Sequence, residues 1–344
     1  MKPVSGTGFT EVFSVTIEEL AETVKLNKSS VSRILNGKGQ GHSVQTQRRV
    51  REAATALGCR PDPTARALAT GATQIIEIWI MIQEYYSPYF GYLHHCLHRI
   101  GIAHGYRLIA EDVRQMADIG GGFTHPSRWP VDGVINCDLA PESDLYRRLT
   151  ANLRVPLVNL GQGLGPQTDR VLLDVHAGAM EAVRHLLAAG CRRLALVRSQ
   201  ADARDDAYTE LVRAAGIKPE VVVAVNHSRA AGTRALLEHA RTYGCPEGIF
   251  CVNDELAIGC FLALSELGRS VPEDILLVGF DGLENARLFP CPISSVVVPV
   301  EEMCRLAWGL LVRRLSAPEA PVHQYVMVPH LEVRTSSHRW TNPN

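Results

Sequence analysis

Two positively charged and two hydroxyl side chains are spaced along a short run so that one helix would expose them together. Lys28, Ser29, Ser32 and Arg33 are all hydrogen-bond donors. Arginine and lysine donate to guanine in the major groove of DNA, and serine donates to bases or phosphates. The run is therefore a face that reads DNA or an ordinary solvated face, and periodicity alone leaves both interpretations open.

A second group of polar residues follows apolar runs in the larger part of the chain. Asp281 follows ILLVGF, Asn253 and Asp254 follow GIFCV, and Arg204 lies just past RRLALVRSQ. If they converge on a cleft, an Asp, an Asn and an Arg would bind hydroxyl groups. Each alone could instead cap a helix or a turn, and for Asp254 we favour that structural role.

Aromatic residues open the helix that should follow the first apolar run. Tyr89 and Phe90 come directly after Ser87-Pro88. Their rings would give the same cleft a wall that stacks on a ring-shaped ligand.

Two further patterns are weaker. His94 and His98 are four residues apart in YLHHCLHRI and could bind a divalent ion, but the sequence places no third ligand beside them. The loop LGQGLGP has the spacing Gly-x-Gly-x-Gly-Pro, and no helix begins at its end, so the dinucleotide fingerprint fails. We predict no metal, no cofactor and no catalytic activity.

The bulk composition is that of an ordinary globular protein. Of the 344 residues, 46% are apolar and 21% charged. The nine cysteines form no Cys-x-x-Cys pair, which is typical of reduced thiols. No apolar run approaches the roughly 18 residues of a membrane helix, and the N-terminus has no apolar signal core. These observations predict a cytoplasmic protein.

Charge is unevenly distributed along the chain. Residues 1–72 contain ten Lys and Arg against six Asp and Glu, whereas the remainder contains 25 against 30. The net charges are therefore +4 and −5. This distribution suggests that a polyanion meets the N-terminal segment.

Three short helices are predicted to position the basic run. Thr16 and Glu19 fit a capping box at the start of the first helix. Asn27 caps the second helix, which Asn36-Gly37 ends, and the third begins near Ser43 or Thr46 and stops at Gly58. The predicted inward-facing residues are Ile17, Leu20, Ala21, Val24, Val31, Ile34, Leu35, Val50, Ala53, Ala54 and Leu57.

The segment after Gly58 reads CRPDPTARALATGATQ. Pro61 and Pro63 break the chain, and 64–69 could form one or two helical turns. So short a helix is marginal alone and would fold only against a partner such as its own copy or a DNA groove. Residues 70–73 are predicted to be a linker.

Apolar runs alternate with helical patterns from residue 74 onward. This alternation predicts parallel βαβ units in a doubly wound α/β fold, and about 270 residues are enough for two lobes. Ligands of such folds bind beyond the carboxyl ends of the strands, here between the lobes. The predicted strands are IIEIWIMI, YRLIAE, VDGVINC, PLVNL, RVLLDV, RRLALV, EVVVAV, GIFCV, ILLVGF and ISSVVVP.

Several blocks resemble one known family in order. VTIEELAETVKLNKSSVSRILNG, TQRRVREAATALGCRPDPTARALA, HLLAAGCRRLALV and GIFCVNDELAIGCFLALSELGRSVPEDILLVGFDG are similar to the lactose-repressor (LacI/GalR) family of bacterial transcription regulators. The similarity covers roughly residues 15–336. It implies a helix-turn-helix headpiece and hinge helix joined to a two-lobed, periplasmic-binding-protein-like domain.

The resemblance assigns DNA-binding roles. It implies that Lys28, Ser29 and Arg33 contact bases, and that the hinge residue Leu68 enters the minor groove as an apolar wedge. The complete set that it places at the DNA is Lys28, Ser29, Ser30, Ser32, Arg33, Asn36, Ser43, Thr46, Ala65, Arg66 and Leu68.

The resemblance also assigns the ligand site, with departures from the family. It implies that the effector-binding residues are Tyr89, Phe90, Arg204, His227, Asn253 and Asp281. His227 lies near a position that is aromatic in sugar-binding members, and Gly161 stands where Asp or Arg is common. Lys25 occupies a glycine-type position in the turn, which carries a cost if its φ is positive. The family has a regular helix around 114–130, but here three glycines and two prolines predict a loop.

The combined prediction has three parts: a headpiece (1–60), a hinge helix and linker (61–73) and a two-lobed domain for effector binding and dimerisation (74–344). We expect a homodimer that binds pseudo-palindromic operator DNA, acts as a repressor and responds to a sugar-like effector. A tetramer built on a C-terminal tail is not expected, because no heptad repeat follows Trp340. The alternative is a ligand-binding protein of the same fold that has lost specific DNA binding.

Overall fold

The computed structural model describes residues 15–35, 37, 39–59, 67, 71–80, 87–113, 130–137, 139–140, 143–161 and 168–338. The chain divides into a smaller unit, Met1–Thr73, and a larger unit, Gln74–Asn344. The prediction of a loop at 114–130 and most of the hinge segment lie outside the described residues. Within the described part, no helix is both long and apolar enough to cross a membrane.

The helices whose full extent is described in the smaller unit are α1 (Ile17–Thr23), α2 (Lys28–Leu35) and α3 (Val44–Ala56). The predicted capping box is present, with the Glu19 amide donating to Thr16 Oγ1 at 3.3 Å and the Thr16 amide donating to Glu19 Oε2 at 2.7 Å. Such a box satisfies amides that the first helical turn leaves without intrahelical partners.

The three helices share one small apolar core. Its buried members are Leu20, Ala21, Val24, Val31, Ile34, Val50, Ala54 and Cys59. The prediction that Leu57 faces inward is wrong: this residue follows the last turn of α3, and 38% of its surface is exposed. Arg49 joins α3 to the end of α1 by donating to the Val24 carbonyl at 3.0 Å.

The turn between α1 and α2 contains a left-handed residue. Lys25 has a φ of 53°, the conformation that glycine adopts at no steric cost. The Lys25 amide donates to the Glu22 carbonyl, and the Leu26 amide donates to the Ala21 carbonyl. The lysine therefore keeps the helix-ending hydrogen bonds of a glycine turn and accepts some backbone strain.

The larger unit contains two six-stranded sheets. The first is made of β1 (Ile75–Ile80), β2 (Arg107–Asp112), β3 (Gly133–Asn136), β4 (Leu157–Gly161), β5 (Asp169–Leu173) and β11 (Gln324–Met327). The second is made of β6 (Leu194–Arg198), β7 (Glu220–Val223), β8 (Gly248–Cys251), β9 (Leu276–Asp281), β10 (Ser294–Val297) and β12 (His330–Glu332). The strand order is β11-β5-β4-β3-β1-β2 in the first sheet and β12-β10-β9-β8-β6-β7 in the second.

Helices connect most of these strands. In chain order they are α4 (Pro88–Ala103), α5 (Asp144–Thr150), α6 (Val175–Ala188), α7 (Ala203–Ala214), α8 (Arg229–Tyr243), α9 (Asp254–Glu266), α10 (Glu284–Arg287) and α11 (Val300–Ser316), and a short 3-10 helix spans Thr335–Ser337. Every strand pair is parallel except β10 with β12. The two predicted lobes of doubly wound α/β structure are confirmed.

All ten predicted strands are present, but two others were missed. β11 and β12 lie in the run 324–332, which Pro329 divides into two short pieces. They belong to different sheets, so the chain crosses between the lobes there. It also crosses between β5 and β6 and between β10 and β11, which makes three crossings in all.

Candidate nucleic-acid interface and ligand cleft

The exposed face of α2 carries three of the four side chains that the sequence singled out, whereas the fourth, Ser32, is half-buried. Val31 and Ile34 are buried against the other helices, whereas Lys28, Ser29 and Arg33 are exposed. Asn27, just before the helix, accepts hydrogen bonds through Oδ1 from the Ser30 amide at 2.7 Å and from Ser29 Oγ at 2.8 Å. The cap thus fixes the first turn of the helix and already engages the Ser29 hydroxyl.

Lys28 has a partner that sequence reasoning missed. Its Nζ donates to the carboxylate of Glu18 in the first turn of α1. The hydrogen bond from Lys28 holds the pKa of Glu18 below its ordinary value. The only signal in the sequence was opposite charge at two helix starts, and nothing there showed that the two starts meet.

The remaining DNA-binding predictions fall at helix starts or outside the described residues. Ser43 caps α3, accepting from the Thr46 amide at 3.1 Å, and the two hydroxyls lie 2.9 Å apart. Ser30 and Ser32 are half-buried on α2. Asn36, Ala65, Arg66 and Leu68 lie outside the described residues.

In the larger unit, Arg204 stands at the start of α7, near the carboxyl end of β6. Asp202 caps this helix and forms a capping box with Asp205. The Asp202 carboxylate also accepts from Arg204 Nε, at 3.1 and 3.0 Å for its two oxygens, and from Nη2. Burial alone would raise the pKa of Asp202, but the hydrogen bonds and charge of Arg204 outweigh it and lower the pKa.

Further contacts fix the plane of the Arg204 guanidinium. Nη1 donates to the Val252 carbonyl at 2.6 Å, and Cζ lies 5.1 Å from the centroid of the Phe280 ring. These bonds use one N–H group on each nitrogen, and an arginine has five N–H donors. Two of these donors therefore have no hydrogen bond to any described residue.

Asp281 ends β9 beside this arginine. Its φ is 111°, a left-handed value that is rare for a residue with a side chain. Burial and the neighbouring charge of Asp254 raise the pKa of Asp281 well above its ordinary value, and Arg204 opposes this rise. Strained backbone at a strand end, beside a buried charge, is typical of a binding site.

Asn253 and His227 are joined by a hydrogen bond. Asn253 caps α9, its Oδ1 accepting from the Leu256 amide at 2.8 Å, and its Nδ2 donates to the His227 carbonyl at 3.2 Å. The His227 ring lies against Ser199 Oγ, 2.9 Å from Nε2 and 3.3 Å from Nδ1. Asn253 therefore positions the loop that carries His227, whether or not it also contacts a ligand.

Asp254 has the structural role that the sequence favoured. One carboxylate oxygen accepts from the Leu283 amide at 2.7 Å, and the other accepts from Ser295 Oγ at 2.6 Å. Burial raises the pKa of Asp254 to about 7, although both hydrogen bonds oppose the rise. This carboxyl ties α9 to the ends of β9 and β10.

Tyr89 and Phe90 reach the same region from the first lobe. They lie in the first turn of α4, with ring centroids 5.2 Å apart and ring planes at 80°. Burial and the nearby charge of Asp281 raise the pKa of Tyr89, and Arg204 lowers it. Tyr89 of one lobe is thus close enough to Arg204 and Asp281 of the other to feel the charge of both.

The backbone of Gly161 ends β4 with a φ of 120°. A polar network lies behind it in the first lobe. Asn136 Nδ2 donates to Asn159 Oδ1 at 2.9 Å, and Asn159 Nδ2 donates to Thr168 Oγ1 at 2.7 Å and to the Tyr146 hydroxyl at 2.9 Å. These buried amides satisfy one another, so they support the strand ends.

The histidine pair on α4 has few of the features of a metal site. The His94 and His98 rings are stacked with centroids 6.1 Å apart. Over the described ranges, no three His, Cys, Asp or Glu side chains come together as a group that could hold a metal ion.

The geometry defines a class of protein: a small helix-turn-helix unit on the same chain as a two-lobed ligand clamp. The model of the periplasmic binding protein-like domain matches residues 183–337. The two sheets of the larger unit fit this kind of α/β domain.

Relatives match nearly the full length. The ribose operon repressor of Halalkalibacterium halodurans is 27% identical over 330 residues, which cover 94% of this chain and 97% of the relative. The HTH-type transcriptional repressor PurR of Erwinia tasmaniensis is 26% identical over 332 residues, which cover 93% and 96%. Over nearly its whole length, this chain is therefore similar to transcriptional repressors of the kind that the LacI family comprises.

Solved structures share the fold. A lac repressor dimer bound to operator and an anti-inducer matches with a TM-score of 0.79 and 18% identity, covering 94% of this chain and 99% of that one. A CelR–cellobiose complex matches with a TM-score of 0.67 and 24% identity, covering 94% and 100%. At this low sequence identity, the similarity shows that the fold is shared but not which ligand is bound.

Proposed function

We propose that this protein is a homodimeric, sequence-specific regulator that binds pseudo-palindromic operator DNA and represses transcription in response to a small polyhydroxylated effector. The observation that carries the proposal is the capped α2 helix, which presents Lys28, Ser29 and Arg33 on its exposed face. Relatives named as repressors support it.

At the operator, α2 enters the major groove. Lys28, Ser29 and Arg33 contact base edges, and the hydroxyls at the start of α3 contact phosphates. Paired hinge segments open the minor groove between half-sites, with Leu68 as the wedge and Arg66 on a phosphate. Ala65 enters the minor groove beside Leu68. The residues that touch phosphates or support those contacts are Ser30, Ser32, Asn36, Ser43 and Thr46.

The effector lies between the lobes. The two remaining N–H groups of Arg204 and the carboxyl of Asp281 bind its hydroxyls, and Tyr89 and Phe90 stack on its ring. His227 and Asn253 complete the wall on the second lobe. We favour a sugar or sugar derivative, because this set has both donors and acceptors beside aromatic rings. Two regulators of similar fold have been solved with such ligands, one with cellobiose and one with ribose.

The effector site and the operator-binding site are then two separate sites, which lobe closure couples. The protein acts as a regulator and not a catalyst, and a chromosomal operator places it in the cytoplasm. Its partners are DNA, the effector and a second copy of the chain, without a cofactor or a membrane.

Selection of bound DNA from a random pool tests the proposal. We expect an enriched pseudo-palindrome with two half-sites, and an affinity for it that changes at least threefold with one sugar of a panel. Tight binding of a sugar without any enriched sequence would support the alternative, a clamp that has lost specific DNA binding. The left-handed Lys25 in the turn is the observation that favours that alternative.

A further inference from the structure

The pair between Glu18 and Lys28 spans the turn of the helix-turn-helix. Glu18 lies in the first turn of α1, and Lys28 is the first residue of α2. We propose that Glu18 is a positioning residue for DNA recognition: it directs Lys28 toward bases and weakens the attraction of Lys28 to phosphates in general. The inference rests on the operator-binding function proposed above.

The start of α2 needs a negative charge that its own sequence does not supply. Its first turn contains no acidic residue, and Lys28 adds a positive charge where the helix dipole is already positive. Glu18 provides the missing charge from the neighbouring helix. The Glu18 carboxylate is therefore attracted to Lys28 Nζ and to the start of α2 even in the absence of DNA.

Both helices that carry the pair are fixed. The capping box of Thr16 and Glu19 holds the first turn of α1, and Asn27 holds the first turn of α2. Leu20 and Val31, fully buried, anchor the two helices in the core. The backbone thus sets where the carboxylate and the ammonium meet, which confines Lys28 Nζ to a small region of the exposed face.

The pair acts on DNA binding more than on folding. The two side chains are 59% and 62% exposed, and exposed ion pairs contribute little to stability. Near a polyanion the situation differs, because non-specific affinity follows the number of phosphates that cations neutralise. A lysine compensated by a carboxylate releases fewer counterions than a free lysine.

Lys28 can still contact a base while its charge is paired with that of Glu18. An ammonium group has three N–H donors, so Lys28 can donate to Glu18 and to a guanine acceptor at the same time. Arg33 is the contrasting cation of the same helix: it is exposed, and no ion-pair partner is found for it among the described residues. Glu18 thereby lowers the sequence-independent part of the affinity and keeps the base-specific part.

Glu18→Gln in the full-length protein tests this role, with Glu22→Gln as the matched control. Glu22 is an exposed glutamate one turn further along α1, so its variant removes the same charge from the same helix. Binding is measured against the selected operator and against a random-sequence duplex over a series of NaCl concentrations. We expect Glu18→Gln, and not Glu22→Gln, to tighten binding to the random duplex by roughly threefold or more. We also expect its salt slope to steepen by about one and its ratio of specific to non-specific affinity to fall.

The same two substitutions in a Lys28→Gln background separate pairing from long-range charge. Without the lysine, we expect Glu18→Gln and Glu22→Gln to have equal effects. If the two variants already agree when Lys28 is present, the inference is wrong while operator binding stands. If the unsubstituted protein distinguishes no sequence at all, the proposed function itself fails, and this inference fails with it.

Discussion

Asp202 and Arg204, two residues apart, are joined side on, with the carboxylate of one accepting from Nε and Nη2 of the other. Asp202 is also the cap of α7. One acid therefore begins the helix and orients the guanidinium that projects from it. The orientation of Arg204, which we propose to bind the effector, therefore depends on a residue that need not touch that ligand.

Asp202→Asn should preserve the cap and disrupt the ion pair, because asparagine caps helices as well as aspartate does. We expect the free energy of unfolding of the larger unit to fall by about 1–3 kcal/mol at pH 7. Effector affinity should also fall, by roughly tenfold. Urea unfolding and calorimetric titration of the full-length protein measure the two effects, and Asp206→Asn, at an exposed position of the same helix, is the control.

The difference in the free energy of unfolding between Asp202→Asn and the unsubstituted protein should depend on pH. The pKa of Asp202 is lowered in the folded state. Its stabilisation is thus present above the unfolded pKa and is lost as the pH falls through the folded pKa. We expect the difference to shrink on acidification below about pH 4. A difference that grows in acid would contradict the assigned pairing.

Asp254 should show the opposite pH dependence. Its folded pKa of about 7 exceeds its ordinary value of 3.8, so its protonated form favours folding. The contribution is complete below the unfolded pKa and is lost as the pH rises toward 7. Relative to Asp254→Asn, the unsubstituted protein should lose at most about 4 kcal/mol between pH 4 and pH 7, at 1.36 kcal/mol per pKa unit. A flat difference in urea unfolding across this range would show that Asp254 stays ionised.

Arg33→Ala should weaken specific binding far more than non-specific binding. A bidentate contact to guanine contributes about 1–3 kcal/mol of discrimination. Filter binding to operator and to random duplex measures both affinities. Arg48→Ala, which removes an exposed arginine from α3, should lower the affinities for operator and random duplex by the same small factor. If Arg33→Ala lowers both affinities equally, Arg33 contacts a phosphate and does not read a base.

Lys25→Gly should stabilise the smaller unit. A φ of 53° costs a residue with a side chain about 1 kcal/mol, and glycine removes that cost but adds freedom to the unfolded chain. We expect a net gain of up to about 1 kcal/mol, measured by amide hydrogen exchange of α1 and α2 in the full-length protein. Glu22→Gly, within α1, should instead lose about 0.5–1 kcal/mol. Faster exchange in Lys25→Gly would mean that the lysine side chain makes contacts that offset its strain.

The periodicity of apolar residues is sufficient to predict the helices and strands, because buried residues recur regularly along them. The inward face of α2 and the ten strands follow from residues that must leave water, and such residues recur at fixed intervals. β11 and β12 were missed because both are short edge strands with mostly exposed side chains.

Pairings between polar side chains could not be predicted from the sequence in the same way. Glu18 and Lys28 meet only because two helices cross a turn, and no spacing rule connects residues ten apart. The hydrogen bonds between Asp202 and Arg204 depend on side-chain rotamers, which no spacing rule fixes. For Asn253, the sequence could not decide between cap and ligand contact, and the structure places it as the cap of α9.

The three crossings between the sheets limit how the lobes can move. A single connection would leave one lobe free to turn in any direction about the other. Three connections whose strand ends pair with one another restrict that rotation, and this restriction lowers the entropy lost when the lobes close around a ligand. The last crossing lies between Met327 and His330. A chain cut after Met327 would lose β12 and gain rotational freedom, although every side chain assigned to the cleft would remain.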